Sequence, residues 1–358
     1  MYNELDNPKD MKFTAMTWNL ANENPPAETM DQLEGQITSD PDIIIFSLQE
    51  AKETLLKWEN AGERIIKRLN QSNSNVNEQY SIIHNASFRV VTKPSIYNIT
   101  NMARTGLVIA VKNKYKDQIS ILEFGHERSS ESINKGGLYA KLQIGNKKIG
   151  VISVHLDSNS PEERQAEIEA LMDHFKGEKF DDIIFLGDLN ERLETGFQDL
   201  LDNSSTRLDD IEKKEQQIIA EHDPISKHGT YLSMTYDFQF HQLDRFTYVE
   251  TNADGTVRAK PKRAGQLDIG TLDNIGTEEK ALKKDKPTVF TPTDSTGKPI
   301  SDHKAVFCNI TLPAVDFTEK KEQTVVSNPF YQKSSDAKGV TIEMQILGNN
   351  SSTSIDRQ

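Results

Sequence analysis

Asp42-Ile43-Ile44-Ile45-Phe46-Ser47-Leu48-Gln49-Glu50 is the stretch on which the fold turns. Ile43 to Phe46 form an unbroken apolar, mostly β-branched run with no polar alternation. Such a run fits a strand covered on both faces, one buried in the middle of a layered domain. Ser47, Gln49 and Glu50 then place polar groups at the end of that strand.

Outward from this stretch the pattern repeats. Residues 12–19, 106–112 and 182–189 read as further strands. Residues 138–144 and 147–156 flank Gly145-Asn146, a two-residue hairpin turn. Helical spacing of apolar residues predicts a helix over 53–69. Ser160-Pro161-Glu162-Glu163 is a helix start that predicts another over 161–175. A charged amphipathic segment over 208–221 predicts a surface helix. Strands alternate with helices, yet the hairpin breaks a purely parallel scheme. The expected class is α/β (α+β): a four-layer αββα sandwich of two packed sheets. After Leu312 the composition turns to Ser, Asn, Lys and Glu, so 1–312 is the expected main domain and 313–358 an appendage. The apolar residues within 339–347 allow that appendage one added strand. It also holds Asn328-Pro329-Phe330-Tyr331, similar to the peptides that add a strand to adaptor domains, although a plain turn explains the four residues as well.

Charge limits the partners. The chain of 358 residues carries 42 basic and 55 acidic side chains, a net charge of −13. Phosphate repels such a surface at long range, so non-specific coating of nucleic acid is not expected. Cys308 is the single cysteine, which excludes an internal disulfide framework; in Ala305-Val306-Phe307-Cys308 it reads as a small buried hydrophobe. The N-terminal residues lack the pattern of a signal peptide, and no apolar run approaches the roughly 20 residues that span a bilayer. The expected setting is cytoplasmic, or delivery into a host cell without a cleavable signal, with peripheral membrane contact left open.

Five segments carry polar residues at the ends of apolar runs: Thr17-Trp18-Asn19, Leu48-Gln49-Glu50, Val154-His155-Leu156, Gly187-Asp188-Leu189-Asn190 and Ser301-Asp302-His303. Each alone has a plain structural reading, as a turn, a helix start or a satisfied histidine. Together they supply carboxylates, carboxamides and two histidines. Asp, Glu and Asn oxygens are hard ligands suited to Mg²⁺. A carboxylate such as Asp188 can orient or deprotonate water, and protonated histidines can hold phosphoryl oxygens as charge builds.

In this order, the segments resemble the endonuclease/exonuclease/phosphatase superfamily over residues 12–312. That resemblance implies a DNase-I-like αββα fold and a catalytic phosphoesterase domain. It also implies metal-site roles for Asn19, Glu50 and Asp302 and phosphate contacts for His155 and His303. Asp188 takes the place of the water-activating residue and Asn190 that of its transition-state partner. Asp268, in Gly265-Gln266-Leu267-Asp268-Ile269, takes the place of the carboxylate that orients His303.

Local features bring the chain closest to the inositol polyphosphate 5-phosphatases. Ile133-Asn134-Lys135-Gly136-Gly137 is similar to the family's Asn-Lys-Gly-Gly segment, with Lys135 as a phosphate contact. Gly187-Asp188-Leu189-Asn190-Glu191-Arg192 keeps Arg192 but has Glu191 for the usual tyrosine. Met234-Thr235-Tyr236 and Lys260-Pro261-Lys262-Arg263 resemble the region that grips a neighbouring ring phosphate, which makes Tyr236, Lys262 and Arg263 candidate substrate contacts. The family's tryptophan, cysteine and arginine beside the orienting aspartate are absent. The implied activity is Mg²⁺-dependent hydrolysis of the 5-phosphate of an inositol phosphate or phosphoinositide. A metal-dependent nuclease and a sphingomyelinase are the alternatives within the superfamily. A binding protein without catalysis is disfavoured by the complete catalytic set.

Overall fold

The computed structural model describes residues 8–52, 61–88, 103–129, 135–158, 160–191, 217, 248–251, 257–260, 272–278, 280–301 and 303–318. In chain order the elements are β1 (Lys9–Asn19), α1 (Ala27–Gly35), β2 (Ile43–Lys52), α2 (Ala61–Gln71), β3 (Tyr80–Phe88), β4 (Ala103–Lys112), β5 (Ile119–Arg128), β6 (Gly136–Ile144), β7 (Lys147–His155), α3 (Pro161–Asp173), β8 (Asp182–Asp188), β9 (Tyr248–Thr251), β10 (Val257–Lys260), β11 (Asp273–Thr277), β12 (Lys283–Lys284), β13 (Thr288–Phe290) and β14 (Ala305–Val315). One sheet runs β12-β14-β1-β2-β4-β3, with β13 also on β14; the second runs β11-β8-β7-β6-β5. β9 and β10 pair with each other as a separate ribbon.

The sandwich follows from the run at Ile43. Ile43 and Ile45 point between the sheets, against Phe13, Ile109, Leu138, Val151 and Leu186. Ile44 and Phe46 point the other way, into a second core with Met30, Leu33 and Ile65 beneath α1 and α2. Ile152, Val154 and Phe185 do the same on the opposite outer face, beneath Ile168 and Leu171 of α3. Strands buried on both faces need no alternation, and each fully buried Ile or Phe contributes roughly 1.5–3 kcal/mol. The αββα order is therefore confirmed. The hairpin is as expected: Ile144 pairs with Lys147 across Gly145, whose φ is +52°. Cys308 is buried in the inter-sheet core.

Two expectations change. The boundary at Leu312 falls inside β14, which continues to pair with β1 as far as Lys9 with Val315, and Phe317 stacks on Tyr115. The main domain thus includes all of β14 and Phe317 beyond it. The chain also uses strands at β3, β5 and β11 where mixed sequence gave no clear period. Residues 53–60 of the first expected helix lie outside the described residues, as do the appendage from 319 onward with Asn328-Pro329-Phe330-Tyr331, and residues 208–216 and 218–221 of the expected surface helix. Among the described residues, no helix is long and apolar enough to cross a membrane.

Candidate active site

Strand direction gathers the polar residues at one mouth. β7 and β8 run parallel, with His155 level with Asp188, and Gly136 at the start of β6 lies opposite His155. β11 runs antiparallel to β8, so its first residue, Asp273, is level with Asp188. The first sheet brings parallel β1 and β2 to the same end, with Asn19 beside Gln49. His303 does not close an apolar run, as the sequence reading had it. It precedes β14, whose antiparallel course along β1 delivers it to the same mouth.

Asp188 is the centre. It is buried, and its Oδ2 accepts a hydrogen bond from Asn19 Nδ2 at 2.8 Å, a bond from sheet to sheet. Its Oδ1 accepts the Asn190 backbone N–H at 2.9 Å, and His155 Nε2 lies 3.4 Å from Oδ2. Burial works to raise the Asp188 pKa, but the charges of His303, His155 and Lys135 outweigh it, and the carboxyl is held well below the usual range. It stays ionised and suits orienting a water and accepting its proton late in the reaction. Gly187 permits this placement: at φ +145°, a Cβ there would stand 2.2 Å from the Val154 carbonyl oxygen.

His303 is fixed on both sides. Its ring Nδ1 bonds Asp273 Oδ2 at 2.6 Å, and its backbone N–H donates to Ser301 Oγ at 3.0 Å, while that hydroxyl donates to the Asn19 carbonyl at 2.6 Å. Trp18 Nε1 donates to the His303 carbonyl at 3.2 Å. The orienting carboxylate is thus Asp273. This corrects the assignment to Asp268, which lies outside the described residues. The physical reason is register: Asp273 starts a strand paired with β8, which carries it to Asp188 and His303. Leu272-Asp273-Asn274-Ile275 offered the signal, a second Leu-Asp pair leading into a β-compatible segment. Burial pushes the Asp273 carboxyl up to about 6; the His303 pairing opposes that rise, and the Asp188 charge adds to it.

His155 is buried with Nε2 in hydrogen-bond contact with Lys135 Nζ and 3.8 Å from Glu50 Oε1. Lys135, itself buried, is thereby a cation inside the site. Asn190 donates Nδ2 to the Leu156 carbonyl at 2.7 Å and has φ +53°. Glu191 pairs with Arg164 of α3 at 3.4 Å, both side chains buried. Gln49 is structural: it donates to Ser47 Oγ at 2.6 Å and accepts from Thr17 at 3.3 Å, and Ser47 meets Ser153 of the other sheet at 2.6 Å.

Asn19 and Glu50 are described residues with oxygen atoms that could hold a metal. Asn19 Oδ1 accepts the Ala21 N–H at 2.9 Å and keeps a second lone pair. The Glu50 side chain is 23% exposed, accessible to an ion from solvent. Glu50 has φ +47° at a bulge between Leu48 and Ala51, and bulges re-aim side chains. Among the described residues no three His, Cys, Asp or Glu side chains cluster as a metal site. The donor chemistry, all oxygen and partly carboxamide, fits a hard divalent cation. Asp302, Arg192, Tyr236, Lys262 and Arg263 lie outside the described residues.

The family model for Endonuclease/Exonuclease/phosphatase family 2 matches residues 16–260. No curated protein matches the sequence. Among solved structures, Cimex nitrophorin in its ferrous NO complex is 16% identical with a TM-score of 0.59, over 86% of this chain and 99% of that one. The inositol polyphosphate 5-phosphatase domain of SPsynaptojanin, in complex with inositol (1,4)-bisphosphate and calcium ion, is 15% identical with a TM-score of 0.60, over 86% of each chain. At these identities the likeness is one of fold.

Proposed function

The chain belongs to endonuclease/exonuclease/phosphatase family 2, whose enzymes hydrolyse phosphoester bonds, and from that membership we propose that it is a Mg²⁺-dependent phosphatase of inositol phosphates or phosphoinositides, acting on the 5-phosphate. The observation that carries this reading is the buried Lys135 against His155, beside an Asp188 that stays ionised. Lys135 adds positive charge beside His155, and that charge suits a phosphoryl group. The 5-phosphatase domain of like fold was captured with inositol (1,4)-bisphosphate, which supports the same substrate class here.

In this mechanism His155 and His303 hold the non-bridging phosphoryl oxygens, with Asp273 keeping the His303 ring in place. Asp188 aligns the attacking water and accepts its proton. Asn190, fixed by the Leu156 carbonyl and linked through its backbone N–H to Asp188, supports the same transition state. Asn19 and Glu50, with Asp302, would hold a divalent cation, which would supply neutralisation of phosphoryl charge. Lys135 contacts a phosphate, and Arg192, Tyr236, Lys262 and Arg263 are proposed to contact phosphates other than the one cut. Peripheral membrane contact and a cytoplasmic or host-delivered setting accompany the lipid form of the substrate; adaptor binding through Asn328-Pro329-Phe330-Tyr331 is the weaker proposal.

The test is phosphate release from soluble and lipid inositides in MgCl₂ and in EDTA, with supercoiled plasmid and sphingomyelin assayed beside them. Release of the 5-phosphate that stops in EDTA is expected. Plasmid nicking or sphingomyelin cleavage without inositide turnover would transfer the chain to another branch of the family.

A further inference from the structure

Glu50 has more invested in its orientation than a strand-end carboxylate requires. The chain leaves β1 through two successive residues in the left-handed region, Ala21 at φ +49° and Asn22 at φ +62°. Non-glycine residues are seldom found there, and strained backbone persists only where the surrounding structure holds it. The same turn meets a third left-handed residue, Glu50 itself at φ +47°. Asn22 makes two bonds to that residue: its backbone N–H donates to the Glu50 carbonyl at 3.0 Å, and its Nδ2 donates to Glu50 Oε2 at 3.1 Å. The side-chain bond occupies one carboxylate oxygen and leaves Oε1 facing the site, 3.8 Å from His155 Nε2. The loop is braced from outside, since Arg64 of α2 donates to Asn24 Oδ1 at 3.1 Å and to the Pro25 carbonyl at 2.7 Å.

We propose that Asn22 is a positioning residue that aims the Glu50 carboxylate at the bound divalent cation. The inference rests on the reading of Asn19 and Glu50 as the metal site. A carboxylate on a two-bond stem, partly open to water, otherwise samples several rotamers. Ordering it at the moment of metal binding costs affinity, and a donor that holds it beforehand removes that cost. Supporting bonds of this kind change metal affinity by about 10–100-fold in other sites. Asparagine suits the position twice over, because it tolerates the left-handed backbone and carries a donor short enough to reach across the turn.

The experiment titrates Mn²⁺, followed by water-proton relaxation, into wild type, Asn22→Gly, Glu50→Gln and Arg64→Met, with thermal melting in EDTA and in saturating MnCl₂. Glycine accepts the left-handed backbone freely, so Asn22→Gly removes the amide donor while sparing the turn. The expected result is a dissociation constant about 10-fold weaker in Asn22→Gly, in line with the range for supporting bonds. Melting in EDTA stays at the wild-type value, and the stabilisation by metal shrinks. Wild-type affinity in Asn22→Gly, with loss in Glu50→Gln, overturns the inference and leaves the metal site standing. Equal weakening in Arg64→Met overturns it too, because general loop order would then aim Glu50. Absence of Mn²⁺ binding in wild type overturns the metal reading and the inference together.

Discussion

Asp273 stands level with Asp188 across the β8–β11 ladder, and the two buried carboxyls are driven in opposite directions. Lys135, His155 and His303 hold Asp188 low; burial pushes Asp273 up to about 6. One carboxylate is kept free to act on water, while the other grips a histidine ring. Neighbouring groups whose environments separate their proton affinities mark divided roles in acid–base chemistry.

The first consequence is that Asp188→Asn keeps the size of the side chain but removes the carboxylate that takes the proton from water. Turnover should fall by about 10²–10⁴. Far-UV circular dichroism should remain that of wild type, because the strand-end side chain contributes little to either core. Near-normal turnover would move the role of base elsewhere.

Asp273 and Asp268 are separable by the same measurement. Asp273→Asn removes the carboxylate that bonds His303 Nδ1 and should lower kcat by at least about 10-fold. Because Asp273 takes up a proton near pH 6, wild-type activity should decline on the acid side of that value, and Asp273→Asn should lack this limb. Asp268→Asn should leave both the rate and the profile close to wild type. A loss confined to Asp268→Asn would restore the assignment made from sequence.

The sequence was legible where burial was uniform and where chemistry demanded particular residue types. Ile43 to Phe46 revealed a doubly covered strand because both of its faces are apolar, and the Gly145-Asn146 turn revealed the hairpin. Asn19, Glu50, His155, Asp188, Asn190 and His303 were named from their segments and meet at one mouth. Half-exposed β5 was not legible, because its alternation is diluted by residues that are partly buried on both faces. Asp273 was missed because its position depends on register with β8, a non-local property that a short Leu-Asp motif cannot encode. The bonding of Asn22 to Glu50 was out of reach for the same reason.

Glu191 predicts a stability effect beside the site. Its carboxylate meets the Arg164 guanidinium at 3.4 Å, and Arg164 also donates to the Asp157 carbonyl at 3.2 Å. Removing one partner of a buried pair takes away compensation for the other's charge, at up to about 3–5 kcal/mol. Arg164→Met should therefore destabilise strongly in urea unfolding, whereas Arg164→Met with Glu191→Met should recover much of the loss. A double variant as unstable as the sum of the singles would show that the pair does not interact.

The last prediction concerns acid stability and rests on His84. This β3 residue is buried against Phe124, with ring centroids 5.2 Å apart, and its Nε2 has no hydrogen-bond partner among the described residues. Burial lowers its pKa to about 4 from the ordinary 6.5. Below pH 6.5 the unfolded chain takes up a proton that the folded chain refuses, so stability falls as pH falls, and the loss is complete near pH 4. Between pH 7 and pH 5 the His84 contribution is about 2 kcal/mol, from the linkage of a shift of that size. Asp273 acts in the opposite sense: its raised pKa means the folded chain holds a proton that the unfolded chain has released, which adds stability on acidification. The raw pH profile therefore mixes the two. The difference between wild type and His84→Phe isolates one of them, since Asp273 is common to both proteins. Urea unfolding at pH 7 and pH 5 should show the variant gaining about 2 kcal/mol on wild type at the lower pH. Parallel pH dependence in the two proteins would mean that His84 is charged, or solvated, in the folded state.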